Sequence, residues 1–254
     1  MITFANLGRL GRFTNGMFQI AGTIGIAKAN GYDFSFPEWK NYDHRDRFGS
    51  NEDIDVQKYF VNPLPVCEDP GKFPSRWVGW GYHGLNFPDN ISLNGHFQAP
   101  KYFRHCIDTV KHYFRMKDEP NQNEMVAIHY RAGDYTEGKD TYHPRCSWPY
   151  YSAAIKQFPE GTEFKVFSDD YDYAVQMFKH IDNVCFSPKE NDYIQDFKQM
   201  KICKSFITAN SSFSLMAALL GDHPEKKIVC PKLWFGSVAG INGDDCYPEN
   251  AIVL

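Results

Sequence analysis

The feature that most constrains this chain is a regular alternation through its second half. Short apolar segments at 125–130, 164–167, 184–186, 206–209 and 227–230 are separated by stretches of helical spacing at 148–158, 173–181, 193–204 and 213–220. A strand that is apolar along its whole length must be covered on both faces, and strands alternating with helices pair in parallel. The pattern therefore predicts a parallel sheet with helices on both sides. In such sheets ligands bind beyond the carboxyl ends of the strands, in the loops that lead into helices. Those loops are where chemistry is to be sought.

The first half is less regular. A strand is expected at Ile2 to Ala5, then a loop punctuated by Gly8, Gly11 and Gly16. A helix should follow from Met17 to Ala29, because Met17, Ile20, Ala21, Ile24 and Ala27 recur at helical spacing, with Gly31 placed as its C-cap. Tyr32 to Phe36 reads as a second strand. Residues 37–100 are rich in Pro, Gly, Asn and Asp and read as loops and short elements. A helix over 102–114 precedes Lys117-Asp118-Glu119-Pro120, which reads as the linker between a lobe at 1–118 and a lobe at 119–254.

Composition removes several functional classes. The formal charge is -4, which argues against nucleic acid as a partner, since that affinity rests on a clustered basic surface. No apolar run approaches the roughly 18–20 residues that span a bilayer. The segment from Met1 to Asn6 has neither a basic nor an apolar leader region, so export is not expected. The seven cysteines are odd in number and none forms a CxxC pair, which favours neither a disulfide framework nor a zinc site and suits a reducing, cytoplasmic compartment. The 21 Phe, 15 Tyr and 5 Trp are read mainly as core, although sugar sites also stack rings on pyranose faces.

Four loops carry candidate chemistry. After 125–130 comes Arg131-Ala132-Gly133-Asp134-Tyr135, where a planar guanidinium beside a glycine suits a diphosphate. An Arg131–Asp134 ion pair that merely closes the loop is the plain alternative. After 206–209 comes Asn210-Ser211-Ser212, a helix N-terminus fit for an anion or for simple capping. After 164–167 comes Ser168-Asp169-Asp170-Tyr171-Asp172, whose Asp170 and Asp172 form a DxD that can hold a divalent ion or cap the next helix. Gly11 to Gly16 has the GxxxxG spacing of a phosphate loop but lacks the following Lys and Ser/Thr. No GxSxG elbow is present, so a hydrolase has nothing to stand on.

Taken in order, these segments resemble the α-1,2-fucosyltransferases of bacteria and animals. The family start GxLGNQMFQ compares with Gly11 to Gln19, and GYFQSEKYF with Gly95 to Phe103. HxRRGDY compares with His129 to Tyr135. YYxxAI, FSDD, ANSSFSxxxA and PKxWF compare with Tyr150–Ile155, Phe167–Asp170, Ala209–Ala217 and Pro231–Phe235. The resemblance covers residues 8–235. It implies an α/β fold of the GT-B kind with two Rossmann-like lobes, the first on the acceptor side and the second binding the nucleotide sugar. It further implies inverting transfer from GDP-fucose to an oligosaccharide hydroxyl, without metal or other cofactor. Membrane spanning is not implied, whereas peripheral association is compatible. By position, Arg131 would hold the donor diphosphate with Ser211 and Ser212, His129 would lie near the guanosine, and Asp169 in the FSDD stretch would belong to the donor site. Asn15 would face the sugar and acceptor from the N-terminal loop.

Three departures stand out. Thr14 and Gly16 replace the family's Gly and Gln, and Ala132 replaces the second arginine of the RR pair. The chain is short for the family, and 37–90 and the C-terminal tail do not align. Inversion needs a base for the acceptor hydroxyl. Asp134, Glu137, Asp140 and His143 all follow the arginine, and Asp134 is favoured by position alone. Transfer of another GDP-sugar, a metal-dependent transferase using the DxD, and a binding module without turnover stay open at this point.

Overall fold

A computed structural model describes residues 1–41, 54–135, 137–138 and 140–254. Part of the stretch expected to be loops, 42–53, lies outside the described residues. The chain divides into two units, Met1–Asp118 and Glu119–Leu254. Among the described residues no helix is long and apolar enough to cross a membrane.

The first unit opens with β1 (Ile2–Thr3) and α1 (Phe13–Asn30). A two-stranded antiparallel ribbon follows, made of β2 (Lys40–Asn41) and β3 (Ile54–Asp55). Then come β4 (Ser75–Gly79), β5 (Ile91–Gly95) and α2 (Ile107–Tyr113). The sheet order is β1-β5-β4, with both pairings parallel.

This unit corrects several readings. Helix α1 starts at Phe13, four residues earlier than its apolar spacing suggested, so Asn15 and Gly16 are helical rather than part of a loop. The cause is local: Asn15 Oδ1 accepts the Arg12 backbone N–H at 3.2 Å, capping the first turn. Gly11, at φ +78°, leaves the room that this folded-back side chain occupies. A mid-helix glycine is ordinarily unfavourable. Here Gly16 lies against the Trp39 ring, and Gly25 lies so close to the Tyr102 backbone carbonyl that no Cβ could fit. The expected C-cap holds, since Gly31 adopts the left-handed conformation at φ +69°.

Instead of a strand at 32–36 there are two isolated parallel bridges, Ile2 to Phe34 and Phe36 to Val66. The helix expected over 102–114 is broken into 3-10 turns at Pro100–Tyr102 and Arg104–Cys106 before α2. Tyr102, Phe103, Val110 and Phe114 are all buried, which explains the misleading periodicity. Finally, 37–100 contains two five-residue strands of the main sheet. Their sequences, SRWVG and ISLNG, lack an apolar run, and most of β4 is exposed.

The second unit is the alternating one. It runs β6 (Val126–Tyr130), α3 (Trp148–Ile155), β7 (Phe164–Ser168), α4 (Tyr171–Phe178), β8 (Val184–Phe186) and α5 (Tyr193–Lys201). It continues with β9 (Ser205–Ile207), α6 (Ser212–Leu220), β10 (Ile228–Cys230) and β11 (Ile252–Val253). All pairings are parallel, in the order β11-β10-β9-β6-β7-β8. The strand at 227–230 is thus not the last: β11, two residues long, was too short to announce itself. The chain starts in the middle of this sheet, winds outward through β7 and β8, then crosses back to β9 and winds the other way. The winding direction switches between β6 and β9, the position at which open α/β sheets hold their ligands.

Strand periodicity divides the coverage. Val126, Ile128 and Tyr130 of β6 join the cluster with Tyr151, Ala154 and Phe178 of α3 and α4. The alternate residue His129 lies on the other face, its ring 5.5 Å from that of Phe213 of α6.

Candidate functional site

Strands β6 and β9 lie side by side, so the loops leaving them are neighbours at the switch point. Arg131 is the first residue past β6. Its guanidinium is held by two carboxylates: Nη2 donates to Asp134 Oδ1 at 2.5 Å, and Nη1 lies 2.7 Å from Asp169 Oδ2. It also sits over the Tyr135 ring, 5.5 Å from the centroid. The Arg131 side chain is 18% exposed, so it is oriented yet reachable, while Asp134 is 50% exposed.

Asp169, just past β7, does more than pair with the arginine. Its Oδ1 accepts the Ala132 N–H at 2.8 Å and its Oδ2 accepts the Gly133 N–H at 3.1 Å. A Cβ on Gly133 would sit 2.5 Å from Asp169 Oδ2, which is the physical reason for glycine there. One buttressing carboxylate therefore fixes the loop backbone and one end of the guanidinium together. The register of β6 on β7, Tyr130 beside Ser168, brings the two loops into reach.

The loop is braced from behind by residues that spacing did not reveal. Tyr135 donates its hydroxyl to the Asn210 carbonyl at 3.0 Å, tying the β6 loop to the β9 loop. Arg145 Nη2 donates to the Ala132 and Tyr135 carbonyls at 3.1 and 3.0 Å. Ala132, where the family has its second arginine, is buried in the apolar cluster, so the loop's other guanidinium enters from position 145. The only sequence hint was a second arginine in the same loop. Asn210 is a clip: Nδ2 donates to the carbonyls of Pro144 and Trp234, both at 2.9 Å.

Helix α6 presents its N-terminus after this clip. Ser211 is its N-cap and its hydroxyl accepts the Phe213 N–H at 3.4 Å; Ser212 is the first helical residue. First-turn N–H groups have no partner within a helix, and the dipole there favours an anion. His129, 4% exposed, meets Ser214 Oγ through Nδ1 at 2.9 Å, and Ser214 donates to the Ser211 carbonyl at 3.4 Å. Burial first, with Arg131 adding to it against the opposing pull of Asp169, keeps the His129 imidazole far below its ordinary range and neutral.

Of the expected site residues, the structure brings together Arg131, Asp134 and Asp169, and joins His129 to the first turn of α6 with Ser211 and Ser212. Asn15 belongs to the first unit, where its side chain caps α1. The DxD carboxylates have other work: Asp170 caps α4 by accepting the Tyr173 N–H, and Asp172 pairs with Lys189 at 2.8 Å. Among the other base candidates, Glu137 lies 3.8 Å from Arg145, and Asp140 accepts from Ser237 at 2.9 Å. His143 stacks on Tyr135 with centroids 4.9 Å apart, and burial pushes its imidazole below the ordinary value.

The family model for glycosyl transferase family 11 matches residues 83–234, which include every residue of the cluster above and leave Asn15 outside. The O-antigen biosynthesis glycosyltransferase WbnK of Escherichia coli is 32% identical over 117 residues, covering 43% of this chain. That match spans 39% of the relative's own length. Among solved structures, POFUT1 in complex with GDP aligns with a TM-score of 0.52 at 13% identity, covering 89% of this chain and 97% of that one. NodZ α-1,6-fucosyltransferase soaked with GDP-fucose aligns with a TM-score of 0.51 at 13% identity, covering 86% and 91%. At that identity the likeness speaks for fold: this is an α/β protein of the GT-B type.

Proposed function

This chain belongs to glycosyl transferase family 11, and from that premise we propose that it moves fucose from GDP-fucose onto a hydroxyl of a glycan, with inversion and without a metal. The observation that carries the reading is Arg131, held by Asp169 at the switch point of a parallel sheet. The α6 N-terminus stands at the end of the adjacent strand. A guanidinium and a helix dipole are what a departing diphosphate requires.

In this reading the donor diphosphate displaces Asp134, the more exposed of the two carboxylates, from Arg131. Asp169 stays, because it also holds two loop N–H groups. As the glycosidic bond to the diphosphate breaks, its electron pair goes to the phosphate oxygen, where Arg131 and the helix N-terminus meet the growing charge. The acceptor oxygen forms the new bond to the anomeric carbon and gives its proton to Asp134. His129 and Ser214 act as supports that fix the first turn of α6, and Ser211 and Ser212 line the anion's approach. Asn15 is assigned to the donor-binding set by its match to the family start. Linkage to the 2-hydroxyl of a galactoside follows from resemblance to the α-1,2 enzymes, and its partners are then a GDP-sugar and an oligosaccharide.

A ligand that binds only the folded state raises stability by about 2.7 kcal/mol at a hundred times its Kd. GDP should therefore raise the melting temperature clearly more than ADP or UDP at equal concentration. Equal shifts with all three would remove the guanosine assignment.

A further inference from the structure

Residues 132–135 form a tight turn, closed by the Tyr135 N–H donating to the Ala132 carbonyl at 3.2 Å. Asp134 is the third residue of that turn, and the turn is gripped from two sides. Asp169 takes its leading N–H groups, those of Ala132 and Gly133. Arg145 takes its carbonyls: one nitrogen, Nη2, donates to Ala132 at 3.1 Å and to Tyr135 at 3.0 Å. A carboxylate on the N–H groups and a guanidinium on the carbonyls leave the backbone between them little freedom. The two grips differ in what else they hold. Asp169 also fixes Arg131, whereas Arg145 spans the residues on either side of Asp134.

Arg145 is itself rooted with unusual care. Both of its chain neighbours are fastened to Asn210: the Pro144 carbonyl accepts Asn210 Nδ2 at 2.9 Å, and Cys146 Sγ donates to Asn210 Oδ1 at 3.3 Å. Asn210 immediately precedes Ser211, the N-cap of α6. The root of the arginine is therefore tied to the helix N-terminus, while its tip holds the turn. Its guanidinium lies over the Tyr173 ring, 5.2 Å from the centroid, and Tyr173 stacks on Tyr130, the last residue of β6, at 5.7 Å and 6°. Glu137 is 79% exposed and 3.8 Å away, so the ion pair at this site is weak and the backbone contacts dominate. A guanidinium laid on a ring and bonded to two carbonyls loses little further freedom, and groups that must be placed within a fraction of an ångström need such support.

We infer that Arg145 is a positioning residue for Asp134, a strut that carries the placement of the α6 N-terminus over to the turn. The role for Asp134 rests on the transferase reading above; the clamp on the turn does not. The test uses the whole chain, with Arg145→Ala and Arg145→Lys as variants and circular dichroism to confirm folding. Kinetics with GDP-fucose and a galactoside read kcat and donor KM, and the melting shift with GDP reads donor binding. Hydrogen exchange at the Tyr135 amide reads the turn without any substrate. Arg145→Ala should lower kcat about 100-fold, the cost of a misplaced reacting group, with donor KM and the GDP melting shift as in the wild type, because Asp169 still holds Arg131. Its Tyr135 amide should exchange about ten-fold faster. Arg145→Lys, which keeps the charge and a donor, should fall between the two in both readouts. Wild-type kcat in a folded Arg145→Ala would overturn the inference, and so would a donor KM that worsens in step with turnover, the mark of a general brace. Unchanged exchange at Tyr135 would overturn the clamp itself. Faster exchange in Arg145→Ala, alongside a wild type that transfers nothing from GDP-fucose, would keep the clamp and sink the transferase reading.

Discussion

Arg131→Lys should fold as the wild type does and lose about 100- to 1,000-fold in turnover at saturating GDP-fucose. Lysine keeps the charge but not the fork, and the fork is what the surrounding loop is built to hold. Asp169 fixes one end of it while also binding the N–H groups of Ala132 and Gly133, and Tyr135 lies under its plane. An ammonium could meet Asp169 or one phosphate oxygen, not both with the same geometry. Charge on the leaving phosphate grows toward the transition state, so the loss falls on kcat more than on donor KM. Melting temperature and circular dichroism check the fold, and initial rates check the claim. A folded variant that kept more than about a third of the turnover, far above this range, would reduce Arg131 to the loop-closing ion pair it forms with Asp134.

Asp134→Asn should lose about 100- to 10,000-fold in turnover, the range that general bases contribute, while binding GDP at least as well as the wild type. The two halves of this expectation have one cause. The Asp134 carboxylate sits on Arg131, where a diphosphate would sit. Replacing it with a neutral amide weakens that competition, so the melting shift with GDP should be retained or enlarged. The same change leaves no carboxylate to take the acceptor's proton. Weakened GDP binding together with full turnover at saturating donor would instead make Asp134 a structural partner of the arginine. The proton would then go elsewhere in the loop.

The same loops show what a sequence can and cannot reveal. The second unit was legible because its central strands are buried on both faces: Val126 to Tyr130 is apolar enough to stand out, and each following helix repeats at 3.6 residues. Its sheet order was not legible, since no pattern in a strand tells which neighbour it pairs with. That order brings the loop that carries Arg131 next to the loop that carries Ser211. The first unit was read poorly for a related reason. Strand β4 lies at the sheet edge with Ser75, Arg76 and Trp77 exposed, so burial leaves no apolar imprint on it. The start of α1 depended on one side chain, Asn15, folding back over Gly11.

Within the site, Arg131 and the serines were visible as residue types suited to an anion at strand ends, and Asp134 as a base by position. The chemistry of their supports was not. Asp169 was placed on the donor side by resemblance, yet its bonds to the N–H groups of the neighbouring loop arise only from the β6–β7 register. The Arg145, Asn210 and Tyr135 braces act on backbone carbonyls, for which any donor of the right reach would serve. Such contacts leave no motif. The DxD at Asp170 and Asp172 shows the converse, a suggestive spacing whose members cap a helix and pair with a lysine.

The most direct measurement is transfer itself. The purified chain is incubated with labelled GDP-fucose and a panel of galactosides, with and without EDTA, and the product linkage is determined by NMR. Label is expected on a galactoside through its 2-hydroxyl, with inversion at the anomeric carbon and at a rate that chelation does not change. No labelled product with any acceptor, alongside ready transfer from a different GDP-sugar, would contradict the donor assignment. Activity lost on chelation and restored by magnesium or manganese would contradict the claim that Arg131 and the α6 N-terminus do the work of a metal.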